Sequence, residues 1–295
     1  RYCDMKNKKA VKLLATINVL AMLTMLGQPV VKAQQPKEEY LVEINETNFP
    51  DNLLRRYMNL VVDSNQNGKI EQDEVQKIKY LKLGEYEGEG ELEKFTNLGD
   101  EGVVRDFKGI EYLTNLEEMK IAIPTKMTNK ESLYKLTNLK SVTMLGGFGK
   151  TDLKIFDFSN YRKLNKIQIV QLNNLKKINI SKNSNLKSFE CWAGGKLNEV
   201  DFSKCKKVSN IKIIDTNIKK INIGKNKKLK SITIKNDNRL KKIDISKAGK
   251  IKSLKIVNAP KLKKIITSKK QKIKSVIVKG CKNISKKDIR KIKKK

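Results

Sequence analysis

The chain has 295 residues, and its 65 Lys and Arg outnumber its 31 Asp and Glu, which gives a net charge of +34 at pH 7. It contains no histidine, so the side chain that most often performs general acid-base chemistry near neutral pH is missing. No nucleophile elbow is present either. An enzyme is therefore the less favoured of two classes, and a non-catalytic binding module is the other.

The charge is unevenly distributed along the sequence. Residues 34–121 contain 11 Lys and Arg against 20 Asp and Glu, a net charge of −9, whereas residues 122–295 contain 48 against 10, a net charge of +38. The basic part is expected to attract a polyanion such as wall teichoic acid, glycosaminoglycan, anionic lipid or nucleic acid. The alternative is a solvated, lysine-rich surface with no dedicated partner.

The first 33 residues have the pattern of a secretory signal peptide. Met5 is followed by four lysines, by a mostly apolar run of fourteen residues, and by the small residues Val31 and Ala33 at the cleavage positions. A membrane span needs about 20 apolar residues, so an anchoring helix is the less favoured alternative. We expect a secreted protein, with residues 1–4 lying upstream of its start.

Residues 63–74 fit the twelve-residue EF-hand loop that binds calcium. Calcium takes six to eight oxygen ligands; side chains at loop positions 1, 3 and 5 converge on it, and position 7 offers its backbone carbonyl. Gly68 at position 6 permits the sharp turn, and the glutamate at position 12 closes the site with both carboxylate oxygens. The predicted calcium ligands are Asp63, Asn65, Asn67, Lys69, Glu71 and Glu74.

Apolar residues flank this loop at helical spacing on both sides. They are Leu53, Leu54, Tyr57, Met58 and Val61 before it, and Val75, Ile78 and Leu81 after it. Only three of the ligands are carboxylates, which predicts weak, extracellular-type affinity. No second loop is found, so the first repeat turn is expected to be the loop's partner surface. A loop that keeps its shape and stays empty is the alternative.

Residues 84–108 are predicted to form an acidic loop between this cap, at 34–83, and the repeats. Five glutamates alternate with Tyr, Gly and Leu there, and the segment has no sustained helical or strand period.

A six-residue frame, LxxIxI with Leu, Ile, Val or Phe at nearly all fixed places, then returns about every eleven residues. Within each frame the last two apolar places alternate with a polar residue, which is the period of an extended strand. A single such unit cannot bury its apolar side, so the units must stack into a solenoid. The frames begin at Leu153, Leu164, Leu175, Leu186, Leu197, Val208, Ile218, Leu229, Leu240, Ile251, Leu262 and Ile273.

Alternate frames differ, so the true repeat is a pair of about 22 residues, within the leucine-rich-repeat range. One set reads IxIS or IxIG followed by Lys, as at Ile178 to Lys182, and is assigned to a convex, turn-rich side. The other set lacks the small residue and is assigned to a parallel concave sheet. Two earlier units at Leu116 and Leu139 extend the array to about eight turns.

The outward places of the predicted concave sheet fall in three columns that offer a partner surface. Trp192, the only tryptophan, lies between Val170 and Ile214, where it could anchor a partner as interface aromatics do. A ring folded over the edge of the core is the alternative. The candidate surface consists of Val170, Trp192, Ile214, Lys212 and Lys255.

Lysine pairs recur in the other set of frames, and stacking is expected to align them into ladders on the convex side. The pairs are Lys219 and Lys220, Lys241 and Lys242, and Lys263 and Lys264. Sequence-specific nucleic-acid binding is not expected, because arginine is scarce in the repeats and aromatic residues are not interleaved with the lysines.

Three cysteines remain after the signal segment, Cys191, Cys205 and Cys281. An odd number does not suit a framework of pairs, and their places in the frame predict buried free thiols. A bridge between Cys191 and Cys205 is the alternative. Three scattered cysteines without histidine give no zinc site.

Phe-Pro-Asp at 49–51, the loop at 63–74, the segment 108–116 with its Leu-Thr-Asn-Leu, and the repeats occur in one order. Together they resemble secreted leucine-rich-repeat proteins of Gram-positive bacteria, internalin-like in the broad sense, that carry an EF-hand segment ahead of the solenoid. The resemblance extends to about Asn283. It implies a surface or secreted binding protein without enzymatic activity.

The predicted fold is an α/β-type solenoid: a leucine-rich-repeat array at 109–283 with a small helical EF-hand cap and a basic tail at 284–295. The expected function is non-enzymatic binding or adhesion with one structural calcium ion; polyanion binding through the lysine-rich face is the alternative. The expected partner is a protein or an anionic surface polymer, bound by a monomer. A small-molecule substrate and a membrane span are not expected.

Overall fold

The computed structural model describes residues 39–84, 103–146, 150–269, 271 and 273–293. The predicted signal peptide lies outside the described residues, and so does most of the predicted acidic loop.

The N-terminal cap contains two short helices around the predicted calcium loop. A two-residue strand β1 (Val42–Glu43) is followed by helix α1 (Asn52–Tyr57), which continues into a π-helical turn (Met58–Val62). After the loop come strand β2 (Lys69–Ile70) and helix α2 (Gln72–Lys77). Leu54, Tyr57 and Met58 are buried as their helical spacing predicts. Val62 is buried in place of Val61, which is 39% exposed, because the wider π-helical turn shifts the buried position by one residue.

The exit helix is shorter than its apolar spacing predicts. Helix α2 ends at Lys77, because Ile78 is already extended and its N–H bonds the carbonyl of Val75. The next residues form strand β3 (Tyr80–Leu83), which pairs in parallel with β4 (Glu118–Ala122). Leu81 is therefore buried as part of a strand and not of a helix. Pairing with β4 supplies hydrogen-bond partners for the backbone N–H and C=O groups of this strand.

A parallel sheet of nine strands forms one side of the solenoid; we call its outer surface the long face. Two 3₁₀ turns, Ile110–Tyr112 and Lys130–Lys135, lie between its early strands. The order is continuous from β17 at one edge to β3 at the other. Beyond β3 and β4 the strands are β5 (Ser141–Leu145), β7 (Lys166–Val170), β9 (Ser188–Trp192), β11 (Asn210–Ile214), β13 (Ser231–Lys235), β15 (Ile251–Val257) and β17 (Ile273–Lys279).

Three-residue strands form the other side, which we call the short-strand side. One sheet has the order β10-β12-β14-β16, and β6 pairs with β8. The division of frames between the two sides is the one predicted from the small residue after the strand. These strands are β6 (Ile155–Asp157), β8 (Lys177–Asn179), β10 (Glu199–Asp201), β12 (Lys220–Asn222), β14 (Lys242–Asp244) and β16 (Lys264–Ile266).

The apolar places of both frames point into a continuous core. On the long sheet, Ile167, Phe189 and Ile211 are aligned in register and are at most 1% exposed. Full burial of such a side chain contributes about 1.5–3 kcal/mol, so stacking repeats adds core energy in proportion to their number.

The solenoid has about seven turns, rather than the eight predicted. Each of the eight predicted units does supply a strand of the long sheet, from β4 to β17. Eight successive strands are joined by seven connections, so eight predicted units correspond to about seven complete turns. From β7 onward, aligned residues lie 21 or 22 positions apart.

The predicted basic tail is in its described part a helix, α3 (Lys286–Lys293). Ser285 precedes it, and the Ser285 Oγ accepts the N–H of Asp288 at 3.0 Å as an N-cap. Ile284 and Ile292 are buried at the end of the solenoid. Ile289 and Ile292, three positions apart in the helix, give this lysine-rich segment one apolar side.

A ladder of Asp and Asn follows the short strands. In each rung the side-chain oxygen accepts an N–H two residues on, as Asp157 does from Ser159 at 2.8 Å. This turn explains the small residue in the IxIS pattern, because Asx turns of this kind suit Asp and Asn. Carboxylates and amides alternate along the ladder, which separates like charges; its members are Asp157, Asn179, Asp201, Asn222 and Asp244.

The three carboxylates of the ladder are predicted to make stability depend on acid pH. Burial raises the pKa of Asp157 and Asp201, but hydrogen bonds from Ser and Asn lower it further, so both pKa values lie below their usual range. The hydrogen bond from Ser246 lowers the pKa of Asp244. Groups with a depressed folded pKa stabilise the protein above their unfolded pKa of about 4, and this contribution disappears as pH falls through the folded pKa.

Replacing all three by Asn should therefore keep the turns, as Asn179 and Asn222 already do. It should also flatten the fall of the unfolding free energy as the pH decreases below about 4. Denaturant unfolding across that range measures the slope. An unchanged slope in the triple variant would show that other groups carry the acid sensitivity.

A second ladder lines the buried turns after these strands. The Asn183 Nδ2 donates to the carbonyls of Phe158 and Tyr161, and the Asn226 Nδ2 donates to the Cys205 carbonyl at 2.7 Å. Cys205 lies between them, at the equivalent position one turn before Asn226, and its thiol contacts the Ile180 carbonyl. Buried main-chain carbonyls need such partners, so Asn and Cys alternate here for one structural reason.

The three cysteines in the described part of the chain, Cys191, Cys205 and Cys281, are free and buried, as the sequence predicts. Burial raises the pKa of Cys191 and of Cys205 to about 12. Burial therefore disfavours the reactive thiolate form of both side chains near neutral pH.

Candidate functional site

The predicted calcium loop adopts a closed, hydrogen-bonded turn. Asp63 accepts the N–H of Asn67 on Oδ1 at 3.1 Å and the N–H of Gly68 on Oδ2 at 2.9 Å. The Oδ1 of Asn65 accepts the Asn67 N–H, and the Oδ1 of Asn67 accepts the Lys69 N–H. Gly68 has a φ of +76°, a conformation in which glycine is unstrained. The side chains at positions 1, 3 and 5 are thus turned toward the inside of the loop.

Glu74 closes the loop from helix α2. It is 2% exposed, and its Oε1 accepts the Ser64 N–H at 2.7 Å while its Oε2 accepts the Glu71 N–H at 3.1 Å. A hydrogen bond with Glu74 raises the pKa of Glu71. The carboxyl groups of Glu71 and Glu74 therefore lie close enough to influence each other's ionisation.

No three His, Cys, Asp or Glu side chains converge into a metal cluster in the described part of the chain. The loop brings together two carboxylates, Glu71 and Glu74, with the Asp63 carboxylate held by main-chain N–H groups. Asn65 and Asn67 donate their Nδ2 to the Glu71 carboxylate at 3.3 and 2.7 Å. A calcium ion bound here would need amide and carbonyl oxygens as well as carboxylates, and calcium accepts such a set of ligands.

The loop pairs with a segment that the sequence did not single out. Strand β2 pairs antiparallel with β1, with Val42 opposite Ile70, so the loop's partner is not the first repeat turn. The segment just before the first repeat turn contacts the cap elsewhere: Asp51 caps α1 with Oδ1 and accepts the Arg105 N–H on Oδ2 at 2.8 Å. Strand pairing of two residues has too weak a sequence signal to be predicted.

The long face carries the three predicted columns in exact register, and they continue onto β5 and β4. The first runs from Lys166 through the serines, and the second from Gln168 through Lys212 and Lys255. The third column contains Ala122, Leu145, Val170, Trp192, Ile214, Lys235, Val257 and Lys279. The structure thus brings Val170, Trp192, Ile214 and Lys212 together and places Lys255 two strands away from Lys212.

Trp192 points outward from the sheet. Its side chain is 40% exposed, and the Lys212 Nζ lies 4.1 Å from the ring centroid, a cation-π contact. Val170 and Ile214 on the neighbouring strands are half-buried. The ring is therefore not folded into the core, and one of its faces stays open to solvent beside two aliphatic side chains.

A row of polar side chains runs beside this ring in the second column. The Thr143 hydroxyl donates to the Gln168 Oε1 at 3.2 Å, and the Gln168 Nε2 contacts the Glu190 Oε2 at 3.4 Å. Lys212 lies 3.9 Å from the same carboxylate. These groups are already engaged with one another across four strands.

A column of left-handed residues follows the long strands, which the sequence analysis missed. Asn258 donates to Asn236 at 3.0 Å and Asn236 to Asp215 at 2.7 Å, forming a third, exposed ladder next to Trp192. A recurring Asn, Asp or Gly one residue beyond the strand was the available signal, because these residues tolerate positive φ. Its members are Gln171, Ala193, Asp215, Asn236, Asn258 and Gly280.

The lysine pairs lie on the short-strand side, as predicted, but they are not equivalent. Lys220 is opposite Glu199 and forms an ion pair with it at 2.7 Å. Lys242 is aligned with Lys264. Lys263 and Lys264 also line a cleft of about 350 Å³ against α3. The rest of its lining consists of Lys291, one acid, Asp288, Thr267 and the isoleucines 265, 266, 284 and 292.

No helix in the described ranges is both long and apolar enough to cross a membrane.

No protein-family model matches this sequence, and no curated protein does. Similar solved structures include an internalin (InlF) from Listeria monocytogenes, which is 16% identical over 86% of this chain and 88% of its own, with a TM-score of 0.36. The functional domain of InlJ from Listeria monocytogenes is 13% identical over 83% of this chain and 62% of its own, with a TM-score of 0.34.

The leucine-rich-repeat domain of the type III effector XopL is 15% identical over 62% of this chain and 51% of its own, with a TM-score of 0.31. At these values the description of the fold depends on the strand pairing reported above, whose 22-residue spacing is that of leucine-rich repeats.

Proposed function

We propose that the chain is a secreted, non-enzymatic binding protein that presents its long face to a partner and holds one structural calcium ion in its N-terminal cap. One observation carries the binding assignment: an exposed tryptophan lies between two partly exposed aliphatic side chains on a sheet of nine strands. Large aromatic side chains on a rigid frame are the usual anchors of interfaces.

The proposed calcium ligands are the carboxylates of Asp63, Glu71 and Glu74, the amides of Asn65 and Asn67, and the carbonyl of Lys69. Their fit to calcium is supported by the buried Glu74 and by the hydrogen bonds that wind the loop. The ion would stabilise the cap, because a ligand that binds only the folded state favours that state by mass action. Secretion is supported by the signal-like pattern of the first 33 residues.

The binding assignment is tested by probing residues 34–295, the chain without its signal-like segment, against arrays of proteins, glycans, teichoic acids and lipids. We expect Trp192→Ala to lower the affinity for a true partner at least tenfold, since anchors of this kind contribute about 2 kcal/mol or more to binding. Ile155→Ala is the matched control, because Ile155 is 56% exposed on the short-strand side. If every ligand is bound equally by the wild type and by Trp192→Ala, the long face is not the binding surface.

The second candidate is a polyanion site on the short-strand side, favoured by the alignment of Lys242 with Lys264 and by the cleft that Lys264 shares with Lys263 and Lys291. Strands lie about 4.8 Å apart, so aligned lysines form a row that suits a regularly spaced anion such as teichoic acid. Affinity for such an anion should fall steeply with salt, because each neutralised charge releases a counterion.

Replacing Lys241, Lys242, Lys263 and Lys264 by Gln is expected to weaken teichoic-acid binding more than replacing four scattered exposed lysines. Binding measured at low and high salt compares the two variants. Equal losses would mean that the lysines act only as a screened, unpatterned surface. Lys220 is expected to matter less, because Glu199 already neutralises it.

A further inference from the structure

We propose that the long face binds an acidic, amphipathic helix that lies across the strands along the third column. This inference rests on the proposed function of the long face as a binding surface, and it adds the chemical class and conformation of the partner.

The central part of the third column is an apolar stripe of four residues on adjacent strands, Leu145, Val170, Trp192 and Ile214. Trp192 is exposed and the other three are half-buried. With strands about 4.8 Å apart, the stripe is about 14 Å long. A helix of about ten residues has that length, and its turns repeat every 5.4 Å, so apolar residues one turn apart fall close to successive strands.

The main chain of the face explains why the partner is helical rather than extended. Each of the four strands β5, β7, β9 and β11 is paired on both sides, so none has free backbone groups for an added strand. An extended peptide laid on aliphatic side chains would bury N–H and C=O groups without partners, at a cost of about 1–3 kcal/mol each. A helix satisfies its own backbone.

The charge around the stripe indicates an acidic partner. From β7 to β17 the three outward columns contain five lysines and one acid, Glu190. The exposed column just beyond the strands adds Asp215, whose carboxylate accepts the Asn236 Nδ2. The Glu190 carboxylate is already shared between Gln168 and Lys212. Lys212 and Lys235 lie beside the stripe, where they can contact carboxylates on the flanks of a bound helix.

A saccharide could also stack on Trp192, but the geometry favours it less. The polar groups next to the ring, Thr143, Gln168 and Glu190, form a row of contacts with one another. Sugar hydroxyls would have to displace these contacts, whereas the aliphatic neighbours Val170 and Ile214 offer no hydrogen bonds.

The test uses two displayed libraries of sixteen-residue peptides. In both, apolar residues recur at helical spacing and the other positions sample Glu, Lys, Gln, Ala and Ser; the second library differs only by a central proline. We expect at least tenfold more enrichment from the first library on the wild-type protein, with Glu exceeding Lys among the enriched clones. Proline breaks a helix and leaves extended binding open.

Two variants locate the enriched peptides. Trp192→Ala should reduce their binding at least tenfold, and Lys212→Glu with Lys235→Glu should shift the preference from Glu-rich to Lys-rich clones. Ile155→Glu, on the short-strand side, should leave binding unchanged. Equal enrichment from the two libraries, no enrichment from either, or no change of preference in the charge-reversed variant would overturn the helix proposal.

The two proposals fail in different ways. If an array ligand needs Trp192 but is not displaced by the enriched peptides, the long face binds a partner of another class, such as a saccharide, and only the helix proposal fails. If Trp192→Ala changes the binding of no array ligand and of no peptide, both the helix proposal and the proposed function fail.

Discussion

We expect Glu74→Ala to abolish calcium binding, which is one of the two largest effects that the structure predicts. Glu74 is the ligand that offers both carboxylate oxygens, and in the folded loop both are already directed at main-chain N–H groups of residues 64 and 71. Calorimetry with calcium should show one site per chain for the wild type and no heat for the variant. The affinity should be of the extracellular type, with a Kd of about 10⁻⁴–10⁻³ M.

The matched control for this substitution is Asp73→Ala. Asp73 precedes Glu74 on helix α2, but its side chain is 72% exposed and pairs with Lys77. Both substitutions remove one negative charge from the same turn, so a general effect of charge would weaken calcium binding equally in both. The calcium assignment is wrong if the wild type gives no heat, or if Glu74→Ala gives the heat of the wild type.

The second large effect is on stability. Asp237 is 1% exposed, and its carboxylate accepts four hydrogen bonds: from the Thr216 hydroxyl and the Ile218 N–H on one oxygen, and from the N–H groups of Arg239 and Leu240 on the other. Thr216 and Ile218 belong to the preceding turn, so this one side chain joins two turns. Removing it leaves several buried donors unpaired.

Asp237→Ala should therefore lower the free energy of unfolding by on the order of 4 kcal/mol, since each unpaired buried donor costs about 1–3 kcal/mol. Asp237→Asn, which keeps the size but turns one acceptor into a donor, should lose about half as much. Asp152→Ala removes an exposed acid and should change stability by less than about 0.5 kcal/mol. Denaturant unfolding compares the three, and a loss below about 1 kcal/mol for Asp237→Ala would contradict the assigned role.

The repeat architecture could be predicted from the sequence because a continuous core requires apolar residues at regular intervals. Apolar residues at Ile232 and Ile234 flank an outward Thr233, and the same alternation repeats with each strand, so the side that each residue faces could be predicted. The small residue two places after the Asp or Asn distinguished the short-strand side, and the Asx turn gives the physical reason.

The remaining features depend on contacts that are distant in sequence. Helix α2 stops at Lys77 because the following residues gain a sheet partner in β4, which is separated from β3 by more than thirty positions. The Trp192 ring contacts Lys212 from the next strand. Neither contact produces a periodic pattern in the neighbouring sequence. Local propensity therefore predicted a longer helix and could not decide whether the Trp192 ring faces solvent or the core.

Trp192 also provides the most direct test of the central claim that the long face is the binding surface. It is the only tryptophan, so the intrinsic fluorescence excited at the indole band reports on this face alone. Titration with the tightest ligand from the arrays or peptide libraries should shift the emission to shorter wavelength and protect the ring from acrylamide, because a bound partner removes water from a side chain that is 40% exposed. Unchanged emission and unchanged acrylamide quenching at saturating ligand would contradict the account.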